Sequence, residues 1–204
     1  SIKRLIMRKI FDKLFKKSVR KFIPQIQPWI DKSELIELKR VIDSTYISEN
    51  QLTEEFESMT RDMTGSKHAI AMCNGTMALF ACLKAMKIGL GDEVIVPNIT
   101  FVASANCAKL CGAKVDFVDI DELTFNMSTE ALEEKLVKAK TENCLPKVVI
   151  PVHMAGQSCD MKKIFELSKK YNFKIIEDAS HALGGEYLNK KVGSCHYSDI
   201  TVFS

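Results

Sequence analysis

The feature of the sequence that most constrains the fold is an alternation between two kinds of segment. From residue 68 to residue 204, short apolar runs rich in Val and Ile alternate with segments whose apolar residues recur every three or four positions. Such runs are typical of strands that are buried on both faces, and the intervening helices supply the crossovers that parallel strands need. The sequence therefore predicts an α/β fold with three layers, α/β/α, built on a mostly parallel sheet.

The predicted elements follow this alternation along the chain. The predicted strands are residues 68–73, 92–97, 113–120, 147–153, 173–178 and 199–204. The predicted helices are residues 33–44, 53–63, 76–86, 102–110, 129–139 and 160–170. Thr53 is the expected N-cap of the second helix, and Gly65 is expected to end it. One domain without an interior linker accounts for the pattern.

Composition narrows the class of protein. With 204 residues and 46% hydrophobic content, the chain is long enough to bury a substantial core. It has no run of about 18 apolar residues, and its N-terminus lacks the features of a secretory signal. Its seven scattered cysteines form no CxxC pair, which is typical of free thiols in a reducing compartment. We therefore expect a cytoplasmic protein without a metal site.

The charge is concentrated at the N-terminus. Residues 1–21 carry nine basic residues and one acidic residue, whereas the rest of the chain is acidic overall. Apolar residues recur every four positions there, so residues 1–22 are predicted to form a basic amphipathic extension that contacts anionic membranes or partners. A frayed extension is an equally good interpretation. Nucleic acid is not an expected partner, because the basic charge is confined to this segment.

In a parallel sheet, ligands bind beyond the carboxyl ends of the strands, so ligand-binding residues are expected where each strand ends. Gly75 and Thr76 follow a predicted strand and open a helix, where free backbone N–H groups favour a phosphate. A turn glycine followed by a capping hydroxyl would have the same sequence for structural reasons. Phe101 follows the next exit, where its ring would either stack on a planar ligand or join the core.

Asp178 ends an apolar strand, and a buried carboxylate is costly without a compensating partner. The partner would be a buried cation, the amides of the following turn, or a protonated heteroaromatic nitrogen with His181 beside a ring oxygen. Glu177 points to the opposite face of the strand and is expected to be structural. His153, at another exit, either is structural or faces the ligand.

Seven segments, taken in order, resemble the DegT/StrS-type family of pyridoxal-phosphate-dependent nucleotide-sugar aminotransferases. The resemblance covers about Ile23 to Ser204, and the N-terminal extension lies outside it. The segments are NGTMAL, GDEVIVPNITFVASAN, GAKVDFVDID, PVHMAGQSCDM, IIEDASHALGGEY, KKVGS and SDITVFS.

The resemblance implies the large domain of the aspartate-aminotransferase type, fold type I, for residues 23–204. It implies a homodimer whose active sites use residues of both chains. Gly75, Thr76 and Ser204 would bind the phosphate of pyridoxal 5'-phosphate. In the family, the lysine that forms a Schiff base with the cofactor follows the phosphate-binding serine. We therefore expect this lysine and the small domain beyond Ser204, so no catalytic residue is visible and these 204 residues alone would be inactive.

For the cofactor ring, the resemblance implies three further contacts. Phe101 would stack on the pyridine ring, Asp178 would pair with its protonated nitrogen, and His181 would lie beside its phenolic oxygen. A pyridinium held protonated by a carboxylate is the better electron sink, and electron withdrawal is what this cofactor contributes. The chemistry of the residues and the resemblance therefore agree.

The implied reaction is transamination at C4 of a UDP- or GDP-linked 4-keto-6-deoxy sugar, with glutamate as donor, for cell-surface polysaccharide such as lipopolysaccharide. One alternative is a 3-dehydratase of the same family, in which histidine replaces the lysine. A second alternative is a non-catalytic, membrane-peripheral or regulatory module whose working part is the basic segment of residues 1–21.

Overall fold

The computed structural model describes Pro24, residues 27–48 and residues 51–204, and these residues fall into two units that divide between residues 48 and 51. The predicted basic extension, residues 1–22, lies outside the described residues. In the first unit, helix α1 spans Lys32–Ser44, and none of its residues is buried. Asp31 caps α1 in a capping box with Glu34. Among the described residues, no helix is both long enough and apolar enough to cross a membrane.

The second unit is built on a five-stranded sheet whose strands are all parallel, in the order β2-β1-β3-β4-β7. Its strands are β1 (Glu93–Pro97), β2 (Lys114–Val118), β3 (Val148–Val149), β4 (Lys174–Asp178) and β7 (Ile200–Val202). Between β4 and β7, a small antiparallel hairpin is formed by β5 (Glu186–Tyr187) and β6 (Lys190–Lys191). The prediction of a mostly parallel sheet is confirmed.

Helices cover both faces of this sheet, as the continuous apolar strands predicted. The helices of the second unit are α2 (Gln51–Thr64), α3 (Gly75–Ala85), α4 (Ala103–Leu110), α5 (Thr129–Thr141) and α6 (Met161–Tyr171). Successive residues of β1 point to opposite faces: Ile95 packs in a core with α5 and α6, whereas Val94 and Val96 pack in a core with α3 and α4. The three-layer α/β/α prediction is therefore confirmed.

Two local predictions are wrong. Residues 68–73 form no strand, because the side chain of Ile70 is 79% exposed and the Ala71 N–H donates to a side-chain oxygen of Glu57 at 2.7 Å rather than to a strand. Thr53 is not an N-cap, since it lies within the first turn of α2. The helix does end where Gly65 was expected to end it, and Gly65 has the positive φ of 75° that glycine adopts without strain.

The predicted strand 147–153 is regular only at Val148 and Val149, but its later residues still run beside β4. The Asp178 N–H donates to the Pro151 carbonyl oxygen at 2.9 Å, and the His153 N–H donates to the Asp178 carbonyl oxygen at 3.0 Å. On the other side of β4, the Ala179 N–H donates to the Val202 carbonyl oxygen at 2.8 Å. The backbone around Asp178 is therefore held from both sides.

Candidate functional site

Asp178 is the last residue of β4, and its side chain is bound by hydroxyl groups. Ser104 Oγ donates to Asp178 Oδ2 at 2.7 Å, and Ser180 Oγ donates to Asp178 Oδ1 at 2.7 Å. Asp178 is only 5% exposed, yet within the described part of the chain no Lys or Arg forms an ion pair with it. The Ser180 N–H also donates to Oδ1 at 3.3 Å. A carboxylate can accept about four hydrogen bonds, so Asp178 retains capacity for about one more, from a cationic ligand.

The beginning of α3 meets Ser204, which follows β7. Asn74 caps the helix, its side chain accepting from the Met77 N–H at 2.9 Å. A Cβ atom on Gly75 would lie 2.8 Å from Ser204 Cβ and 2.9 Å from Ser204 Oγ, and 3.7 Å from Ser180 Oγ. Only glycine lets the side chain of Ser204 lie this close to the start of α3. We call the place where Gly75, Ser180 and Ser204 meet the cradle.

The cradle adjoins Asp178, because Ser180 belongs to both. The structure therefore brings together three of the predicted site residues: Gly75, Ser204 and Asp178. Backbone N–H groups at a helix N-terminus and serine hydroxyls are donors that suit a phosphate. A carboxylate without a cationic partner suits a protonated ring nitrogen. The residues present thus fit pyridoxal 5'-phosphate, which has both groups.

The other three predicted residues lie around this edge of the sheet, and none of them forms a side-chain hydrogen bond with Asp178. Thr76 is the second residue of α3 and is partly buried. Phe101 is 73% exposed and lies just before α4, which it joins through a hydrogen bond from the Ser104 N–H to its carbonyl oxygen. His181 is exposed in the turn after Asp178, and among the described residues its imidazole has no hydrogen bond. Their roles toward a ligand remain predictions.

Glu177 has a closed set of partners on the opposite face of β4. It accepts hydrogen bonds from His153 Nε2 at 2.7 Å, from Thr201 Oγ1 at 3.0 Å and from Ser198 Oγ. The Cys159 N–H donates to His153 Nδ1 at 3.2 Å, so the ring proton lies on Nε2. We call Glu177, His153, Ser198 and Thr201 the Glu177 cluster. Of the two interpretations of His153, this geometry favours the structural one.

The electrostatics of the Glu177 cluster are set by two opposing effects. Burial by itself would raise the pKa of Glu177, but the hydrogen bonds from His153, Ser198 and Thr201 outweigh burial and hold that pKa below its usual value. Glu177 therefore stays ionised while fully satisfied. Within the described residues, no buried side-chain nitrogen or oxygen lacks a hydrogen-bond partner.

The buried thiols on the two faces are unreactive. Burial raises the pKa of Cys107, which lies one turn after Ser104 in α4, to about 12. Burial likewise raises the pKa of Cys159, whose amide donates to His153, to about 12. Because the thiolate is the nucleophilic form, neither residue is a candidate nucleophile.

Sequence reasoning missed the serines that bind Asp178. The signal for Ser104 was present: Ala103, Ser104, Cys107 and Ala108 have helical spacing, and all four are buried against the sheet. A hydroxyl on such a face needs a buried partner. The signal for Ser180 was its position two residues after Asp178, where a serine hydroxyl commonly bonds back to the acid.

Residues 28–204 match the DegT/DnrJ/EryC1/StrS aminotransferase family. The GDP-perosamine synthase of Caulobacter vibrioides is 44% identical over 178 residues, which is 87% of this chain and 46% of that protein. The chain spans about half the length of the curated relatives it matches.

Two solved structures extend the likeness to the fold. Helicobacter pylori PseC, an aminotransferase involved in the biosynthesis of pseudoaminic acid, matches with a TM-score of 0.80 and 30% identity, over 90% of this chain and 48% of that one. Spr1654 of Streptococcus pneumoniae in its PLP-form matches with a TM-score of 0.78 and 31% identity, over 89% of this chain and 48% of that one.

Proposed function

Because this chain belongs to the DegT/DnrJ/EryC1/StrS aminotransferase family, we propose that the protein transfers an amino group to a nucleotide-linked sugar, with pyridoxal 5'-phosphate as cofactor. The observation that carries the proposal is Asp178, a buried carboxylate with no Lys or Arg partner among the described residues, beside a cradle in which only glycine lets Ser204 lie so close. These two features match the two charged ends of the cofactor.

In this proposal, the cradle binds the phosphate. The free N–H groups at the start of α3 and the hydroxyls of Thr76 and Ser204 donate to the phosphate oxygens. Gly75 allows the phosphate to approach the backbone. The absence of a Cβ there matters more than flexibility, because any side chain would meet Ser204.

Asp178 holds a proton on the ring nitrogen by its charge and by a hydrogen bond. When bound, pyridoxal 5'-phosphate supplies an electron sink that stabilises the negative charge formed as the α-proton of the amine leaves. Phe101 covers one face of the ring, and His181 orients its phenolic oxygen. The lysine and the small domain that complete the family's site are proposed to belong to the part of the protein outside residues 23–204.

The proposal has finer parts that concern the substrate, the donor and the assembly. We propose a nucleotide-linked 4-keto-6-deoxy sugar, aminated at C4 with glutamate as donor, for cell-surface polysaccharide; the likeness to a GDP-perosamine synthase supports a nucleotide-linked sugar. We further propose a homodimer that shares its active sites. The seven free thiols support a cytoplasmic location.

The test incubates the complete protein and pyridoxal 5'-phosphate with glutamate and a panel of GDP- and UDP-linked 4-keto-6-deoxy sugars. Mass spectrometry should detect an amino sugar and an equal amount of 2-oxoglutarate. Asp178→Asn should abolish this product, whereas Asp121→Asn, which removes a carboxylate from an exposed loop, should not. A product that has lost its 3-hydroxyl without gaining nitrogen would overturn transamination in favour of the dehydratase. If the complete protein does not bind pyridoxal 5'-phosphate, both the transaminase and the dehydratase proposals are overturned.

A further inference from the structure

We infer that Ser104 is a positioning residue: its hydroxyl fixes one oxygen of the Asp178 carboxylate so that the other faces the ring nitrogen of the cofactor. The inference rests on the proposed function and extends it to a residue that touches neither cofactor nor substrate. Ser104 lies in the first turn of α4, is fully buried, and donates to Asp178 Oδ2 at 2.7 Å.

The hydroxyls near Asp178 form a relay with a defined direction. A serine has a single hydroxyl hydrogen, and that of Ser104 goes to Asp178. Thr100 Oγ1 lies 2.9 Å from Ser104 Oγ and must therefore be the donor in that pair. The relay runs from Thr100 to Ser104 to Asp178, which leaves Ser104 without freedom to rotate toward another acceptor.

The two oxygens of Asp178 are held by different serines on different sides. Ser104 is fully buried and holds Oδ2, whereas Ser180, which holds Oδ1, is partly exposed and borders the cradle beside Gly75. The terminal torsion of an aspartate is broad, so a carboxylate held at one point can turn about its axis. Held at both oxygens, the carboxylate keeps one orientation, with Oδ1 on the side of Ser180.

Hydroxyl donors also preserve the charge of the carboxylate. A Lys or Arg at the position of Ser104 would stabilise Asp178 by neutralising it and would compete with the ring nitrogen. Neutral donors stabilise a buried carboxylate while its net charge stays available to a cationic ligand. Ser104 is therefore expected to act on one atom of the ligand, its ring nitrogen. A structural serine would act on all ligands alike.

The experiment measures binding of pyridoxamine phosphate to the complete protein, since this form of the cofactor binds without a covalent bond. A second ligand is its 1-deaza analogue, in which a C–H group replaces the ring nitrogen. Wild type should prefer pyridoxamine phosphate. Ser104→Ala should lower this preference about tenfold, because a hydrogen bond to a charged group contributes that much. Affinity for the analogue should be nearly unchanged, and Ser104→Thr should restore the preference.

Two further variants serve as controls. Ser168→Ala removes another buried serine hydroxyl, which donates to the Phe165 carbonyl oxygen at 2.7 Å in α6, and should leave the preference intact. Thr100→Val leaves Ser104 in place but removes its donor, and should lower the preference about twofold to threefold. If Ser104→Ala does not fold, Thr100→Val supplies the test.

The outcomes separate this inference from the proposed function. If wild type does not bind pyridoxamine phosphate, or does not prefer it to the analogue, the proposed role of Asp178 fails. If wild type has the preference and Ser104→Ala keeps it, or loses affinity for both ligands equally, the positioning role of Ser104 is overturned.

Discussion

Glu177 and Asp178 are neighbours in sequence and are equally buried, each 5% exposed, but they lie on opposite faces of β4 and have different partners. Glu177 accepts from His153, Ser198 and Thr201, none of which borders the cradle. Asp178 accepts from two serines, one of which borders the cradle. Burial therefore does not identify the ligand-binding acid; the partners do.

The largest expected effect is a loss of stability when the Glu177 cluster is disrupted. Glu177→Ala removes the acceptor of His153 Nε2, which is fully buried, and should lower the free energy of unfolding by about 3 kcal/mol. Asp178→Ala should lower it by about 1 to 2 kcal/mol, because it removes three hydrogen bonds but leaves only Ser104 fully buried without its acceptor, since Ser180 is partly exposed. Urea unfolding followed by circular dichroism measures both. Equal losses would remove the distinction between the two faces.

The next largest effect is a loss of ligand affinity when a side chain is added at the cradle. Gly75→Ala places a Cβ 2.8 Å from Ser204 Cβ and should weaken pyridoxamine phosphate binding about tenfold, the cost of crowding a packed site. Stability should change little, because the gain from alanine in the first turn of α3 offsets the cost of displacing the exposed Ser204. Gly89→Ala is the matched control, because its nearest contact would be an ordinary 3.8 Å. Titration calorimetry showing equal affinities for both variants would contradict the cradle.

A third prediction concerns acid. The pKa of Glu177 is lowered in the folded protein from its ordinary value of 4.5, so its stabilising contribution is present above pH 4.5 and is lost as the pH falls toward the lowered folded pKa. Below pH 4.5, wild type should therefore lose stability more steeply than Glu177→Gln, by at most about 1.4 kcal/mol per pH unit. Urea unfolding of both proteins from pH 3 to 7 measures the difference. Parallel curves would show that Glu177 does not titrate as described.

The smallest expected effect is on the rates at which the cysteine thiols are alkylated. Cys107 and Cys159, one on each face, should resist iodoacetamide in the folded protein, because burial raises the pKa of both to about 12. Cys73 and Cys144 are exposed and should react. Pyridoxamine phosphate should slow the reaction of iodoacetamide with Cys73 alone, because Cys73 precedes the cap of α3, and the rate should fall only by a small factor. Peptide mass spectrometry measures each site, and protection of Cys144 instead would place the ligand elsewhere.

The sequence was sufficient for the sheet because buried parallel strands have a strong pattern of their own. It was misleading at residues 68–73, where a similar apolar pattern forms no strand and the Ala71 N–H is satisfied by Glu57. Whether a short segment joins a sheet depends on its neighbours, and those are not local information.

The site was predictable where chemistry alone singles out a residue, as for Asp178 at the end of an apolar strand. The roles of Ser104 and His153 depend on contacts between residues far apart in sequence, so no local pattern assigns them. The helical spacing of Ser104 shows that it is buried, but only the fold shows that its hydroxyl meets Asp178. The same is true of His153, whose partner Glu177 lies 24 residues further along the chain, on β4.

The contact between Gly75 and Ser204 also has a consequence for the order of folding. It joins the start of α3 to the residue beyond the end of β7, the strand that pairs with β4 at the edge of the sheet. Contacts that close such long loops form late, because the entropy of closure is lost before they contribute. The cradle is therefore expected to assemble only when β7 docks, so binding of a phosphate ligand would report that folding is complete.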